Sequence, residues 1–382
     1  MWSNRFMPIG LPPATDDLRR EIREFLHETL GPDFSPTSRM MSWMGFDAEF
    51  TRALGRKGWI GMTWPREYGG QARSALERYV LAEELMAAGA PVLAHWTADR
   101  QSGPLILRYG TEAQKQRFLP PITRGESYFC IGMSEPDSGS DLAATRTRAE
   151  AVEGGWCVNG TKLWTTNAHR CQWMIALVRT TPGSQRHGGL SQIIIDLQAP
   201  GVTVRPIRDL AGDAHFNEVV FEDVFVPDDQ LIGTAGEGWA QVMAELAFER
   251  SGPERYLSGA ALLTVMVEWA NQHGDHRAIE AIGRLMADVV TLRQMSLTIA
   301  GRLERGEDPQ VEASCVKDLG TLFEQALPEV AHAVFDIEPR VNSGPDGAQV
   351  LAYLTQVTPS FSLRGGTREI LRGIIARGLG AR

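Results

Sequence analysis

The apolar positions of this chain divide it into three regions with different periodicity. From residue 15 to about residue 125, apolar side chains recur every three or four positions, as they do on one face of a helix. The first such face carries Leu18, Ile22, Phe25, Leu26 and Thr29. Thr111 and Gln114 have the spacing of a capping box that opens a later helix. We therefore predict an N-terminal helical domain over residues 1–125.

Short β-favouring runs replace the helical pattern from about residue 126 to residue 232. In chain order they are YFCIGM, GWCVNG, WMIALV, SQIIID, GVTVRP and EVVFEDVFVP. Gly, Pro, Asn and Asp separate these runs, and Asn159-Gly160 has the sequence of a tight turn. Because no helical pattern intervenes, we predict a small antiparallel β-barrel or sandwich over residues 126–233.

The helical pattern returns over residues 234–382, with long periodic stretches at 254–272, 277–305 and 309–333. Residues 338–347 have the composition of a loop, and a last helix is predicted after Gly366-Thr367. The predicted fold is therefore mainly α with a central β domain. Such an order of domains favours a ligand held at the junction of the β domain and the helices.

Composition narrows the class of protein. The net charge of −9 argues against a general nucleic-acid binder or a protein of anionic membrane surfaces. The four cysteines, which show neither a CxxC nor a metal-ligand spacing, are expected to be reduced core residues: Cys130, Cys157, Cys171 and Cys315. The N-terminus lacks a secretory signal, and no apolar run approaches the roughly 20 residues that cross a bilayer. We expect a cytoplasmic protein without a metal site.

Three stretches have the residue types of a cofactor site. In residues 128–150 a strand runs into the small polar loop SEPDSGSD, which presents N–H groups and hydroxyls to an anion or a polar ring edge. In residues 158–171 a strand is expected to carry Trp164, whose indole packs on flat rings, followed by two threonines. In residues 363–380 two glycines allow close approach of the backbone before Thr367 caps a helix. Each stretch alone is more typical of a turn, a core tryptophan or a helix cap.

Together and in this order, the stretches resemble the acyl-CoA dehydrogenase family of flavoenzymes. SEPDSGSD is similar to the family signature T-E-P-x-A-G-S-D, and NGTKLWTTNA to N-G-x-K-x-W-I-T-N. LIGTAGEGW and the C-terminal GGT also match, so the resemblance covers nearly the whole chain.

The resemblance implies FAD as the cofactor and assigns residues to it. Met133 and Ser134 would lie along the pyrimidine side of the flavin. Trp164 and Thr166 would flank its dimethylbenzene and N5 side, with Thr165 between them among the cofactor-binding residues. The resemblance also implies that Thr367 and Glu369 contact the ribityl-phosphate or adenine portion of FAD. Ser140 would line the acyl-CoA channel.

The implied reaction is α,β-dehydrogenation of an acyl-CoA thioester, in which a carboxylate removes the Cα proton and hydride leaves Cβ for flavin N5. Burial in a dry site raises the pKa of such a carboxylate toward neutrality. Many family members place the glutamate in a C-terminal Y-E-G-T sequence, but the matching residue here is Gly365. A branch resembling isovaleryl- and long-chain acyl-CoA dehydrogenases places it before an arginine on the helix after the β domain. That position matches Glu249, followed by Arg250.

Residue spacing agrees with this assignment, because Trp239, Val242, Leu246 and Glu249 share one helical face. Taken alone, a Glu–Arg pair in such a place is more often a structural ion pair. Because residue 365 is a glycine, we favour the interpretation that Glu249 is the catalytic base rather than part of a structural ion pair. Arg250 is expected to orient the carboxylate or to hold neighbouring polar groups. The N–H of Gly365 is expected to stabilise the enolate that develops on the thioester oxygen.

Two family features are missing from the sequence. The R-x-x-F-G motif, whose arginine reaches the FAD pyrophosphate of a neighbouring subunit, is absent from residues 269–285, where Arg277 is a weak substitute. The Q-x-x-G-G-x-G-F loop that clasps a neighbour's adenine is absent from residues 333–349. We hypothesise that a homologous partner chain supplies the clasp in an α2β2 tetramer, as in heteromeric enzymes of actinobacterial sterol side-chain degradation. The alternative is a divergent homo-oligomer.

Three functions are compatible with these residues. The first is a dehydrogenase that passes electrons to an electron-transfer flavoprotein. The second is an oxidase or monooxygenase of the same fold, against which Glu249 argues. The third is a non-catalytic partner subunit, against which the intact SEPDSGSD and KLWTT stretches argue. The acyl pocket is expected near residues 80–100, where Met86 and Trp96 are candidates, but large apolar residues are more often core.

Overall fold

The computed structural model describes residues 5–31, 33–184 and 186–381, with the side chains of 244–249 outside the description. Its helices, in chain order, are α1 (Ala14–Leu30), α2 (Pro36–Arg39), α3 (Ala48–Arg56), α4 (Ala75–Ala87), α5 (Leu93–Thr97), α6 (Gly103–Tyr109), α7 (Glu112–Thr123), α8 (Gly238–Glu249), α9 (Ala260–His273), α10 (His276–Glu304), α11 (Gln310–Val334), α12 (Asp346–Val357) and α13 (Arg368–Gly378). The strands are β1 (Phe129–Gly132), β2 (Arg148–Val152), β3 (Gly155–Lys162), β4 (Trp173–Arg179), β5 (Leu190–Asp196), β6 (Val202–Ile207), β7 (Phe216–Pro227) and β8 (Leu231–Ile232). The predicted fold class, mainly α with a central β region, is confirmed.

Local sequence signals explain several helix boundaries. The capping box of Thr111 and Gln114 forms as predicted, and Thr367 accepts a hydrogen bond from the N–H of Ile370 at the start of α13. Helix α9 begins at Ala260 rather than at residue 254, because a short 3₁₀ turn over Pro253–Arg255 comes first. Helix α12 was not predicted, although it follows the expected loop directly.

The central sheet differs from the predicted antiparallel barrel. The strand order is β6-β7-β3-β2-β4-β5-β8, and β1 pairs with β4 in parallel, so the sheet is mixed and its described strands do not close. Parallel neighbours need a long crossover connection, which the chain from β1 through β2 and β3 to β4 supplies. The β-favouring runs of the sequence indicated strands but could not indicate this pairing.

A β-bulge replaces the turn predicted at Asn159-Gly160. Both residues lie inside β3, where the register against β7 shifts between Val158 and Gly160. Gly160 has φ +146°, and a Cβ there would lie 2.6 Å from Thr147 Oγ1. Glycine is therefore needed for close approach within a sheet, and the strand continues to Lys162.

The chain folds into two compact units. The helical unit contains residues 1–46, 73–92 and 249–382, and the β unit contains residues 47–72 and 93–248. The three sequence domains at 1–125, 126–233 and 234–382 remain a prediction. Across the residues that the structure describes, no helix is both long and apolar enough to cross a membrane.

The core of each unit is built from the predicted apolar faces. In the helical unit, α1 buries Leu18, Ile22, Phe25 and Leu26, while Thr29 is exposed. Met86 is also fully buried there as an ordinary core residue. In the β unit, β4 and β5 bury almost every residue. This explains the continuous apolar run of β4, whereas β5 also buries Ser191 and Gln192.

Candidate functional site

Residues at the end of β1 form the first candidate segment, which lies in the β unit. Met133 and Ser134, both half-buried, follow β1 directly. The N–H of Leu163 donates to the carbonyl of Ser134 at 2.9 Å, so the residue after β3 fixes this segment. Glu135 and Ser138 then close the predicted turn with reciprocal backbone hydrogen bonds of 2.7 and 3.1 Å. Ser140, predicted along the acyl-CoA channel, lies exposed in the loop that follows.

A buried ion pair supports this segment, and sequence reasoning did not predict it. Lys162 Nζ, on a side chain with no exposed surface, donates to Glu135 Oε1 at 2.8 Å and to the carbonyl of Met133 at 3.1 Å. The Glu135 carboxylate also accepts the backbone N–H groups of Arg146 and Thr147. The available signal was one charged residue in each of two signatures that otherwise resemble strand ends: the Glu of SEPDSGSD and the Lys of NGTKLW.

The segment that carries Trp164 is a loop after β3, not a strand as predicted. Trp164 has φ +59°, in the left-handed region that ends a strand, and its side chain is 55% exposed. The indole and the Phe216 ring pack perpendicular to each other, with ring centroids 6.0 Å apart. Asn217 Nδ2 donates to the carbonyl of Thr165 at 2.9 Å, and the N–H of Thr165 donates back to Asn217 O at 3.0 Å. Asn217 is thus a second supporting residue that the sequence did not reveal.

The threonines of this loop differ in exposure. Thr165 is only 1% exposed, whereas Thr166 is half-buried. Thr165 Oγ1 is buried and has no hydrogen-bond partner among the described residues. A buried hydroxyl without a partner is destabilising, so a polar atom brought by a ligand would satisfy it.

The first turns of α8 pack beside Met133. Val242 is buried against Leu177 and Leu190, and the partly buried Trp239 and Met133 pack against the same cluster. The predicted apolar face of this helix is therefore observed at Trp239 and Val242. Leu246 and Glu249 were predicted to share this face, and their side chains lie outside the described residues. Helix α8 ends at Glu249.

The helical unit, considered by itself, contains a second candidate segment, a tight turn at Gly365-Gly366. These glycines have φ values of +65° and +94°, which other L-residues rarely adopt. Arg250, 3% exposed, donates from Nε to the carbonyl of Gly365 at 3.1 Å. Arg250 and Gly365 are therefore in contact, and Thr367 follows the turn directly. Their roles in the site stay predictions.

The other predicted residues of the C-terminal segment are exposed. Glu369 lies in the first turn of α13, where its own backbone N–H and the Thr367 hydroxyl hold the pKa of its carboxyl below the usual value. Arg277 is an exposed residue of the first turn of α10.

A buried cluster holds the residue before the glycine turn. The Arg364 guanidinium lies between two aromatic rings, 4.4 Å from the Trp43 centroid and 3.8 Å from the Phe361 centroid. Its Nη2 also contacts Glu324 Oε2 at 3.3 Å, and the N–H of Ser258 donates to the other oxygen of Glu324 at 2.9 Å. Burial raises the pKa of Glu324, against the opposing effect of Arg364. The cluster fixes the backbone that leads into Gly365.

The residues of the β unit suit a flavin. An isoalloxazine ring needs an apolar surface for its face and hydrogen-bond donors for its pyrimidine edge. The exposed Trp164 indole provides the first on a backbone that is strained for a tryptophan, which is typical of functional loops. The buried, unsatisfied hydroxyl of Thr165, which follows Trp164 directly, is one polar group. The half-buried Ser134, whose carbonyl accepts the N–H of Leu163, is another.

Comparison with known proteins agrees with this geometry. Residues 12–126 match the acyl-CoA dehydrogenase N-terminal domain, and residues 130–224 match the acyl-CoA dehydrogenase middle domain. The chain is 33% identical over 378 residues to acyl-CoA dehydrogenase IpdE1 of Mycobacterium tuberculosis (strain ATCC 25618 / H37Rv), covering 94% of this chain and 96% of IpdE1. It belongs to the acyl-CoA dehydrogenase family, whose members are FAD-dependent oxidoreductases.

One further relative and one solved structure are also similar to this chain. Acyl-CoA dehydrogenase FadE34 of the same organism is 34% identical over 335 residues, which cover 86% of this chain but only 45% of FadE34. This chain therefore spans about half the length of that relative. The solved structure of the Tcur3481-Tcur3483 steroid ACAD has a TM-score of 0.87 and 29% identity, and covers 98% of this chain and 100% of the matched chain.

Proposed function

We propose that this chain catalyses the α,β-dehydrogenation of an acyl-CoA thioester to the trans-2-enoyl-CoA, with Glu249 as the base. The observation that carries the proposal is the contact of buried Arg250 with the carbonyl of Gly365. It joins the residue after Glu249 to the turn at which Y-E-G-T members of the family would hold their glutamate. The two alternative positions of the base are thus neighbours, and only Glu249 supplies a carboxylate.

The backbone supports a base at 249 rather than at 365. A glutamate at 365 would have to adopt φ +65°, which costs an L-residue with a Cβ on the order of 1–2 kcal/mol. Glycine adopts this angle without that cost and keeps its N–H group. The turn is therefore suited to a backbone donor, and α8 to the carboxylate.

In the proposed mechanism, a carboxylate oxygen of Glu249 takes the proton from the substrate's Cα. The N–H of Gly365 donates to the thioester oxygen, where negative charge develops as that proton leaves. Arg250 holds the carbonyl of Gly365 and so restrains the turn, while Arg364, Glu324 and Ser258 anchor it from the preceding residue. FAD, when bound along Met133, Ser134 and Trp164–Thr166, would accept the hydride from Cβ.

The substrate is proposed to be a bulky acyl-CoA of the steroid side-chain type. This rests on the likeness to the Tcur3481-Tcur3483 steroid ACAD over nearly the whole chain. A half-buried Trp96, with the Arg100 guanidinium 4.6 Å from its ring centroid, lies in the region where the acyl pocket is expected. Turnover of a panel of straight, branched and steroid-bearing acyl-CoA thioesters with an artificial acceptor tests the substrate class.

The electrons that reach FAD are proposed to pass to an electron-transfer flavoprotein.

The test of the base is Glu249→Gln. An amide cannot accept the proton, so turnover should fall by roughly 10²–10⁴-fold or more. Because the amide is nearly the same size as the carboxylate, the flavin absorbance of the purified enzyme should stay unchanged. The matched control is Glu268→Gln on the exposed surface of α9, which should keep full turnover. Normal turnover of the Glu249 variant would exclude it as the base.

A further inference from the structure

Lys162 is a fully buried lysine whose ammonium contacts the backbone of a predicted flavin-binding residue. The Nζ atom donates to the carbonyl of Met133 at 3.1 Å and to Glu135 Oε1 at 2.8 Å. The side chain has no exposed surface, and Glu135 is 7% exposed. Within the β unit, this buried pair therefore contacts the Met133-Ser134 segment from the protein interior.

Stability alone does not explain a charged pair at this place. Burying an ammonium is unfavourable even when it is paired, and apolar residues of similar volume often replace buried ion pairs without loss of stability. Desolvation lowers the pKa of Lys162 to about 8, while the Glu135 charge acts in the opposite direction. The pair is held in one geometry because Glu135 also accepts the N–H groups of Arg146 at 2.7 Å and Thr147 at 2.9 Å.

The contact with Met133 has a consequence for the next residue. The carbonyl of Met133 and the N–H of Ser134 belong to one planar peptide group. A positive charge on the carbonyl side polarises this group and makes the N–H a stronger donor. The carbonyl of Ser134 is also occupied, by the N–H of Leu163 at 2.9 Å. Both carbonyl oxygens thus bond within the protein, so the segment offers donors rather than acceptors to a ligand.

We propose that Lys162 is a positioning residue for FAD: it holds and polarises the Met133-Ser134 peptide so that the N–H of Ser134 donates to the pyrimidine edge of the flavin. This edge carries acceptor oxygen and nitrogen atoms, and it gains negative charge when the flavin is reduced. Lys162 therefore strengthens FAD binding and raises the flavin's reduction potential. The inference rests on FAD binding at Met133 and Ser134 and is independent of Glu249 as the base.

The test is Lys162→Met, which replaces the side chain by an unbranched apolar one that is one atom shorter and so removes the ammonium. On enzyme purified with FAD, we expect the dissociation constant for FAD to rise about 10-fold or more, as for loss of a charge-assisted hydrogen bond. We also expect the reduction potential to become more negative. Lys162→Arg should restore part of both values, since a guanidinium keeps the charge. Neither readout depends on turnover, so a failed Glu249→Gln test would leave this result interpretable.

The matched control is Gln114→Met in the same unit. Gln114 is a buried, long polar side chain that also donates to two backbone carbonyls, those of Asp229 and Leu231, at 2.7 and 2.8 Å. Its variant should lose thermal stability with no change in FAD affinity or potential. If Lys162→Met behaves like this control, Lys162 is structural only and the proposal is wrong. If that variant does not fold, Glu135→Gln serves instead, with weaker FAD binding expected and unchanged binding contradicting the proposal.

Discussion

At the scale of single residues, the local backbone decides which side chain a position accepts. Gly365 lies at φ +65°, and the residue after Glu249 donates to its carbonyl. The sequence has a glycine at 365, where Y-E-G-T members of the family have a glutamate. The backbone angle adds a physical reason for glycine there, because the turn itself disfavours a residue with a Cβ.

Gly365→Ala tests the role of the glycine turn. An alanine at φ +65° should lower the free energy of unfolding by about 1 kcal/mol, and moving the N–H away from its present position should also lower kcat. Gly274→Ala is the control: this exposed C-cap of α9 has φ +63°, and a Cβ added there would meet nothing within 4 Å, so the same stability loss should leave kcat unchanged. Equal kcat values for both variants would show that the Gly365 turn has no part in the reaction.

At the scale of elements, buried polar contacts fix how neighbouring helices pack. In the β unit, His95 of α5 is 5% exposed, and its Nδ1 lies 3.1 Å from Thr51 Oγ1 of α3. Desolvation lowers the pKa of His95 to about 4. The imidazole is therefore neutral in the folded protein under conditions in which an unfolded chain would protonate it.

This contact predicts a pH dependence of stability. A lowered pKa contributes stability that is complete above about pH 6.5, the unfolded value, and is lost as the pH falls toward 4. His95 alone should reduce the free energy of unfolding by about 3 kcal/mol over that range. Urea unfolding at pH 7 and pH 4, compared with His95→Gln, measures the difference. The glutamine keeps a bond to Thr51 but does not titrate. Equal pH dependence in both proteins would contradict the assignment.

At the scale of the whole molecule, the sequence lacks the two family motifs that clasp the FAD of a neighbouring subunit. Arg277, the weak substitute, is exposed in the first turn of α10. A related solved structure carries the joint name of two proteins, Tcur3481-Tcur3483. We therefore keep the hypothesis that this chain works with a homologous partner that supplies the clasp.

Purification with and without such a partner tests the hypothesis. Alone, the chain should hold well below one FAD per polypeptide, because the pyrophosphate and adenine lack their clasp. Co-expressed with a homologous partner, it should form an α2β2 tetramer with two FAD molecules. Flavin absorbance per polypeptide and light scattering measure both quantities. A homo-oligomer with one tightly bound FAD per chain would overturn the idea.

Much of the molecule follows from the sequence because it depends on local pattern. The apolar periodicity placed helices such as α10 and α11, and the capping residues Thr111 and Thr367 act as predicted. The signatures at 134–141 and 159–168 were long enough to indicate the family. The structure places Arg250 against Gly365, while the roles of Glu249, Arg250 and Gly365 in the reaction stay predictions.

Only the tertiary structure decided how distant segments combine. The parallel pairing of β1 with β4, the bulge at Gly160 and the left-handed backbone of Trp164 each depend on neighbours that are far away in sequence. The same holds for Lys162 and Glu135, which lie 27 residues apart and meet behind Met133. Local pattern encodes which residues prefer burial, but a pairing between strands or charges is set by the packing of the whole sheet.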